Sequence, residues 1–169
     1  MNLSSTMVET SPLIRFLRDR GMAGTFSAEE WSLMLAEARH AGVLARIAHW
    51  IPGSSMAGNV PLRHQGGLAA ALIQSAAFRR DVQRELRSIS SALVHVETPI
   101  LLLKGASYVA LGLPVADGRI FSDIDLLVAD KQIRFVESEL MLGGWITGQL
   151  DAYDDRYYRQ WSHEIPPMT

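Results

Sequence analysis

The sequence predicts an α+β protein, a helical N-terminal part leading into a core built on a mixed sheet of the α/β type. Three observations predict it. Val82, Leu86, Ile89, Leu93 and Val96 recur at alternating spacings of four and three residues, the seam of an amphipathic helix. Ile100–Leu103 and Ile124–Val128 are short, branched, apolar runs bounded by turn-forming residues, as strands are. Between and after these runs, helix-forming stretches stop at Gly112-Leu113-Pro114 and at Gly143-Gly144.

Taken in order, Pro12 to Arg20 reads as a short helix. Ser27 with Glu30 three residues later forms a capping box, opening a helix that passes Trp31 and either reaches Ile51 or breaks near Gly42. Pro52-Gly53-Ser54-Ser55 and Gly58-Asn59 mark a loop, and Pro61 suits the first turn of the next helix. That helix carries the Val82 to Val96 seam, packs on the following sheet, and ends at Thr98-Pro99. The predicted division is therefore 1–97, helical, and 98–169, the core. Within the core, strand Ile100–Leu103 leads to a short helix, Ser107 to Leu113, and a turn at Asp117-Gly118 precedes strand Ile124–Val128. Asp130 is placed to cap a helix with inner face Ile133, Val136 and Leu140. Trp145 to Leu150 and Tyr157 to Ile165 read as strands separated by a polar turn at Asp154-Asp155.

Composition narrows the function. Nearly half of the 169 residues are hydrophobic (48%) and 20% are charged, which is globular rather than disordered. Cysteine is absent, so disulfides, thiol catalysis and cysteine-based zinc sites are excluded. No apolar run approaches the ~18 to 20 residues that span a bilayer, and Met1-Asn2-Leu3-Ser4-Ser5 lacks the layout of a signal peptide, so a cytoplasmic location is expected. Before Pro99 there are ten basic and eight acidic residues, and after it six basic and ten acidic. That mild asymmetry does not indicate a nucleic-acid-binding surface, and the acidic half is the one suited to hold metal. Only Lys104 and Lys131 are lysines, against fourteen arginines, which draws attention to the lysine beside Gly105.

The chemistry concentrates at Phe121-Ser122-Asp123-Ile124-Asp125. Side chains two apart on a strand leave the same face, so Asp123 and Asp125 point together and repel unless a cation lies between them. Hard carboxylate oxygens favour Mg²⁺ or Mn²⁺. The His163-Glu164 pair on a strand reads as structural, and Trp31, Trp50, Tyr153, Tyr157 and Tyr158 as core or edge aromatics.

A strand, Lys104-Gly105, a short helix, and then Arg119-Ile120-Phe121-Ser122-Asp123-Ile124-Asp125-Leu126-Leu127-Val128 resemble the core of the polymerase-β-type nucleotidyltransferase superfamily. The resemblance is strongest to its bacterial nucleotidyltransferase branch. It runs from about Ile100 to Thr169, including Trp161-Ser162-His163-Glu164-Ile165-Pro166-Pro167, while the N-terminal helices match loosely. It implies transfer of a nucleoside monophosphate from a nucleoside triphosphate to an acceptor that the sequence leaves unknown. Asp123 and Asp125 would then hold the metal, and the turn at Gly105 would approach the phosphates through backbone N–H groups. Ser107 would add a hydroxyl, and Lys104 and Arg119 positive charge. Two departures stand out. Gly105 is followed by Ala106, with serine one place late, and the third carboxylate that the superfamily carries on a later strand has no clear counterpart, so the chain is expected to be the front part of a longer protein. The alternatives are a catalytically degenerate binding module and, fitting less well, a glycosyltransferase whose Asp-x-Asp holds a sugar nucleotide. No membrane partner is expected.

Overall fold

The computed structural model describes residues 11–51, 57–148, 151–162 and 164–169. The described chain is mostly helical with one two-stranded antiparallel sheet, consistent with an α+β class. The mixed sheet anticipated above is therefore reduced to a single antiparallel pair. The chain forms two compact units, one within Met1–Arg80 and Leu111–Ser122, the other within Asp81–Ala110 and Asp123–Thr169.

In the first unit, α1 (Pro12–Arg18) starts with proline in its first turn, where the missing N–H costs nothing, and the Ile14 N–H donates to Ser11 Oγ at 3.3 Å. A 3₁₀ turn, Arg20–Thr25, leads to α2 (Ala28–His40). Its capping box forms as expected: the Glu30 N–H donates to Ser27 Oγ at 3.2 Å and the Ser27 N–H to Glu30 Oε2 at 2.8 Å. That backbone bond, with Arg15 at 2.6 Å as the second cause, holds the Glu30 carboxyl below its ordinary range. The helix does break at Gly42, which has φ +68. The Val43 N–H donates to the Ala38 carbonyl and the Gly42 N–H to that of Arg39, a Schellman end, and α3 follows at Leu44–Trp50. Residues 52–55, read as loop, lie outside the described residues. Pro61 stands immediately before α4 (Leu62–Ala92), whose first part closes this unit. Phe16, Trp31, Met34, Leu35 and Ile47 are fully buried, and Trp50 is half-buried beneath the Arg20 guanidinium at 4.1 Å.

Leu111–Ser122 joins this unit through named contacts. Arg79 pairs with Asp117 at 2.8 Å, Arg46 donates to the Val115 carbonyl at 2.6 Å, and Phe121 meets Phe78 edge-on at 5.0 Å. The turn at Gly118 lets them coincide: its φ is +68, and a Cβ there would lie 2.4 Å from the Arg46 backbone nitrogen.

In the second unit, the rest of α4 precedes β1 (Leu101–Leu102), α5 (Lys104–Ala110), β2 (Leu126–Leu127), α6 (Ile133–Leu142) and α7 (Ala152–Arg156). Leu93, Val136 and Leu140 are buried together, with Ile89, Val96, Ile100, Leu126 and Val128 packed on them, so the α4 seam does pack on the sheet. The helix itself ends at Ala92, short of Thr98-Pro99; branched Val94 and Val96 and the constraint of Pro99 on Thr98 favour leaving the helix early. The following helix begins at Lys104 and ends at Ala110, three residues ahead of the Ser107–Leu113 expectation at each end. Asp130 does not cap α6. It opens a 3₁₀ turn, Asp130–Gln132, and Gln132 takes the cap position without a side-chain bond.

Tyr157–Ser162 is not a strand, and Asp154-Asp155 is not a turn. Asp151 accepts from the N–H groups of Tyr153 and Asp154, starting α7, which widens into a π-helical segment at Tyr157–Ser162. Arg159, reaching from that segment, binds both oxygens of the buried Glu137 carboxylate at 2.7 and 3.0 Å and Asp155 at 2.9 Å. Tyr153, Tyr157 and Trp161 are exposed. Of the Trp145–Leu150 strand, Thr147 bridges to Met168, and residues 149 and 150 lie outside the described residues.

Gly118→Ala should destabilise the protein by about 3 kcal/mol, through a strained φ and a clash with rigid backbone. Urea unfolding would measure it. Arg159→Met should cost about 3 kcal/mol by leaving the Glu137 carboxylate buried without its partner, read by the same method.

Candidate functional site

The site begins with strand register. β1 and β2 pair antiparallel, Leu101 with Leu127 and Leu102 with Leu126, and the Leu103 N–H donates to the Asp125 carbonyl at 2.9 Å, continuing the ladder by one residue. Leu126 and Val128 face the core, so the pleat turns Asp125 and Leu127 the other way, to the open face. Asp125 retains 28% of its side-chain exposure. The strand is thus half-buried and shorter than Ile124–Val128, and both aspartates come before its paired residues.

Directly after β1, Lys104 adopts φ +48, the left-handed region that non-glycine residues rarely enter. The unusual backbone angle of this strand-to-helix turn therefore belongs to the lysine and not to Gly105. Gly105 lies buried within the first turn of α5, not in an open loop, and Ala106 is buried behind it. The turn carries the Lys104 ammonium to Asp125 Oδ2 at 3.1 Å. Asp125, then Asp123 and Glu164, hold the Lys104 ammonium above its ordinary pKa. Because that pKa is raised, its contribution to stability is complete below the unfolded value near ~10.5 and is lost only as pH rises through the higher folded value.

Ser107, one turn on, donates its hydroxyl to the Lys104 carbonyl at 2.7 Å, bracing the strained residue. Arg119 belongs to the other compact unit, where its backbone N–H donates to the Ala116 carbonyl at 3.1 Å. The second unit thus brings Lys104, Ser107, Asp123 and Asp125 into one neighbourhood, and adds Glu164, expected above only as a structural strand residue. Its signal was available only as a carboxylate at the right distance in sequence; the helical turn before it, with the Glu164 N–H donating to the Tyr158 carbonyl at 3.0 Å, was not legible. His163 lies outside the described residues.

The donor chemistry fits a hard divalent ion: carboxylates on an open face, with a cation already required at Asp125. Among the described residues, no group of three or more His, Cys, Asp or Glu side chains is gathered closely enough to hold a metal; Asp123 and Asp125 are the two carboxylates that could contribute oxygens to one.

Lys104→Gly and Lys104→Ala both remove the ammonium, but only glycine accepts φ +48 without strain. The glycine variant should be the more stable of the two by about 1 kcal/mol in urea unfolding.

No curated protein and no solved structure matches this chain. The family described as uncharacterised nucleotidyltransferase matches residues 27–165. The match takes in the helices from the capping box onward as well as the strand–lysine–glycine–helix unit and both aspartates. On that coverage, the chain belongs to this uncharacterised nucleotidyltransferase family.

Proposed function

We propose that this nucleotidyltransferase-family protein transfers a nucleoside monophosphate from a nucleoside triphosphate to an acceptor, with Mg²⁺ or Mn²⁺ held by Asp123 and Asp125. The observation that supports it is the pairing of the Lys104 ammonium, at a strand-to-helix turn, with Asp125 at 3.1 Å, two residues after Asp123. In such a transfer an acceptor oxygen bonds to the α-phosphorus as the bond to the departing pyrophosphate breaks. The metal would neutralise charge on the triphosphate and polarise the α-phosphoryl group.

The chain's own residues supply the rest. Asp125 is anchored by the Leu103–Asp125 backbone bond, so its position is tied to the ladder, and Asp123 stands two residues before it. Lys104, still 68% exposed and charged throughout the physiological range, can exchange its carboxylate partner for a phosphate oxygen. Ser107 is kept as a phosphate contact under this proposal, and the Gly105 turn as the backbone that would approach the phosphates through its N–H groups.

A second reading is a degenerate module in which Lys104 permanently takes the place of the cation beside Asp125. One experiment separates them. Calorimetric titration of each ribonucleoside triphosphate with Mg²⁺ should show binding that weakens about 100-fold or more in the Asp123→Asn, Asp125→Asn variant. Absence of binding by the native chain, or equal binding by the two, would overturn the transferase reading and leave the degenerate module.

A further inference from the structure

A second cleft lies in the unit that holds the aspartate pair, and none of Lys104, Ser107, Asp123 or Asp125 lines it. One wall is a face of α4 bearing Arg84, Arg87, Ser88 and Ser91, at the spacings that bring helical side chains to one side. The opposite wall is the end of α6, where Gly143 and Trp145 turn away from the helix. The cleft is a broad groove open to solvent, with a volume of about 620 Å³.

Several features make this a shaped recess. The Trp145 N–H donates to the Leu140 carbonyl and the Gly144 N–H to that of Met141, a Schellman end that sets where the indole emerges. The indole Nε1–H then donates to Glu85 Oε1 at 2.9 Å, so the ring is fixed at both ends. Gly143 permits the close approach, since a Cβ there would stand 2.8 Å both from the Ala92 Cβ and from the Trp145 ring. The cleft therefore presents a held aromatic wall.

The polar groups facing that ring decide the ligand. Arg84 is paired with Asp81, and the Glu85 carboxylate accepts from the indole N–H while keeping its charge. The Arg87 guanidinium has no hydrogen-bond or ion-pair partner among the described residues, and of the two arginines lining the cleft it is the one without a carboxylate. Ser91 gives its hydroxyl proton to the Arg87 carbonyl at 3.0 Å and so offers an acceptor, while Ser88 lines the same face of the helix. An anion fits at Arg87 and Ser88, a planar ring at Trp145, and a hydroxyl donor at Ser91.

We propose that this cleft binds a planar ring carrying one anionic group, with a nucleoside monophosphate as the class that meets all three features. It is a site separate from the aspartate pair, and it holds whether or not that pair performs nucleotidyl transfer.

Adenosine monophosphate, adenosine and inorganic phosphate serve as probes, titrated calorimetrically against the full chain in the presence of a chelator. Adenosine monophosphate should bind with a dissociation constant below ~1 mM and adenosine more weakly. Arg87→Ala, an exposed position whose loss leaves the fold intact by circular dichroism, should weaken adenosine monophosphate about tenfold and leave adenosine unchanged. Trp145→Leu should weaken both organic probes. The Asp123→Asn, Asp125→Asn variant should retain the native affinity for adenosine monophosphate. The proposal is overturned by no binding up to ~10 mM, by indifference to Arg87→Ala, or by loss of binding in the aspartate variant instead. Phosphate binding as tightly as adenosine monophosphate would also overturn it, since the ring would then contribute nothing.

Discussion

The antiparallel register of two very short strands is the constraint on which the candidate site depends. Leu101 opposite Leu127 and Leu102 opposite Leu126 leave Leu103 to donate to the Asp125 carbonyl. That bond places the residue after Leu103 beside Asp125, and that residue is Lys104. A slip of one residue would turn Asp125 toward Leu93, Val136 and Leu140 and bring Leu126 out to solvent. A carboxylate entering that apolar cluster without a partner costs several kcal/mol by rough reckoning, so burial of Leu126 and Val128 enforces the register at which the ion pair forms. The site is an outcome of core packing before it is an outcome of charge.

Lys104 shows what that geometry demands. A strand must become a helix within one residue, and the chain does it by placing a lysine in the left-handed region, a conformation worth about 1 kcal/mol of strain. Ser107 bonded to its carbonyl and Asp125 bonded to its ammonium hold it there. Glycine stands next in sequence, yet it lies buried in the first helical turn, and the left-handed angle falls on the lysine. Strain of this kind, retained beside paired carboxylates, is where function tends to be found.

Elsewhere in the second unit, a different pair organises the chain. Glu137 lies buried on α6, and Arg159 reaches it with two hydrogen bonds from the segment after α7. This contact favours helix over strand from Tyr157 onward, because the arginine must arrive on one side while Asp155, four residues earlier, binds it from the same side. Glu164 follows from that helical end, and so its field reaches Lys104.

Local signals were the legible ones. The Ser27–Glu30 capping box, the break at Gly42, the start after Pro61, the α4 seam, the turn at Gly118 and the apolar face of Val136 and Leu140 are all written in neighbouring residues, where the interaction spans a few positions of the chain. The Asp-x-Asp segment and the Lys-Gly turn were likewise visible, together with the family to which the chain belongs. Other features required partners far apart in sequence. The extent of the strands, the helical state of Tyr157–Ser162, the grouping of Leu111–Ser122 with Arg46, Phe78 and Arg79, and the seating of Lys104 on Asp125 each depend on a contact across tens of residues. Local propensity determined where this chain turns and where its helices begin; packing against distant partners decided how far each element runs and which charges meet, because burial and pairing energies exceed the small preferences of single residues.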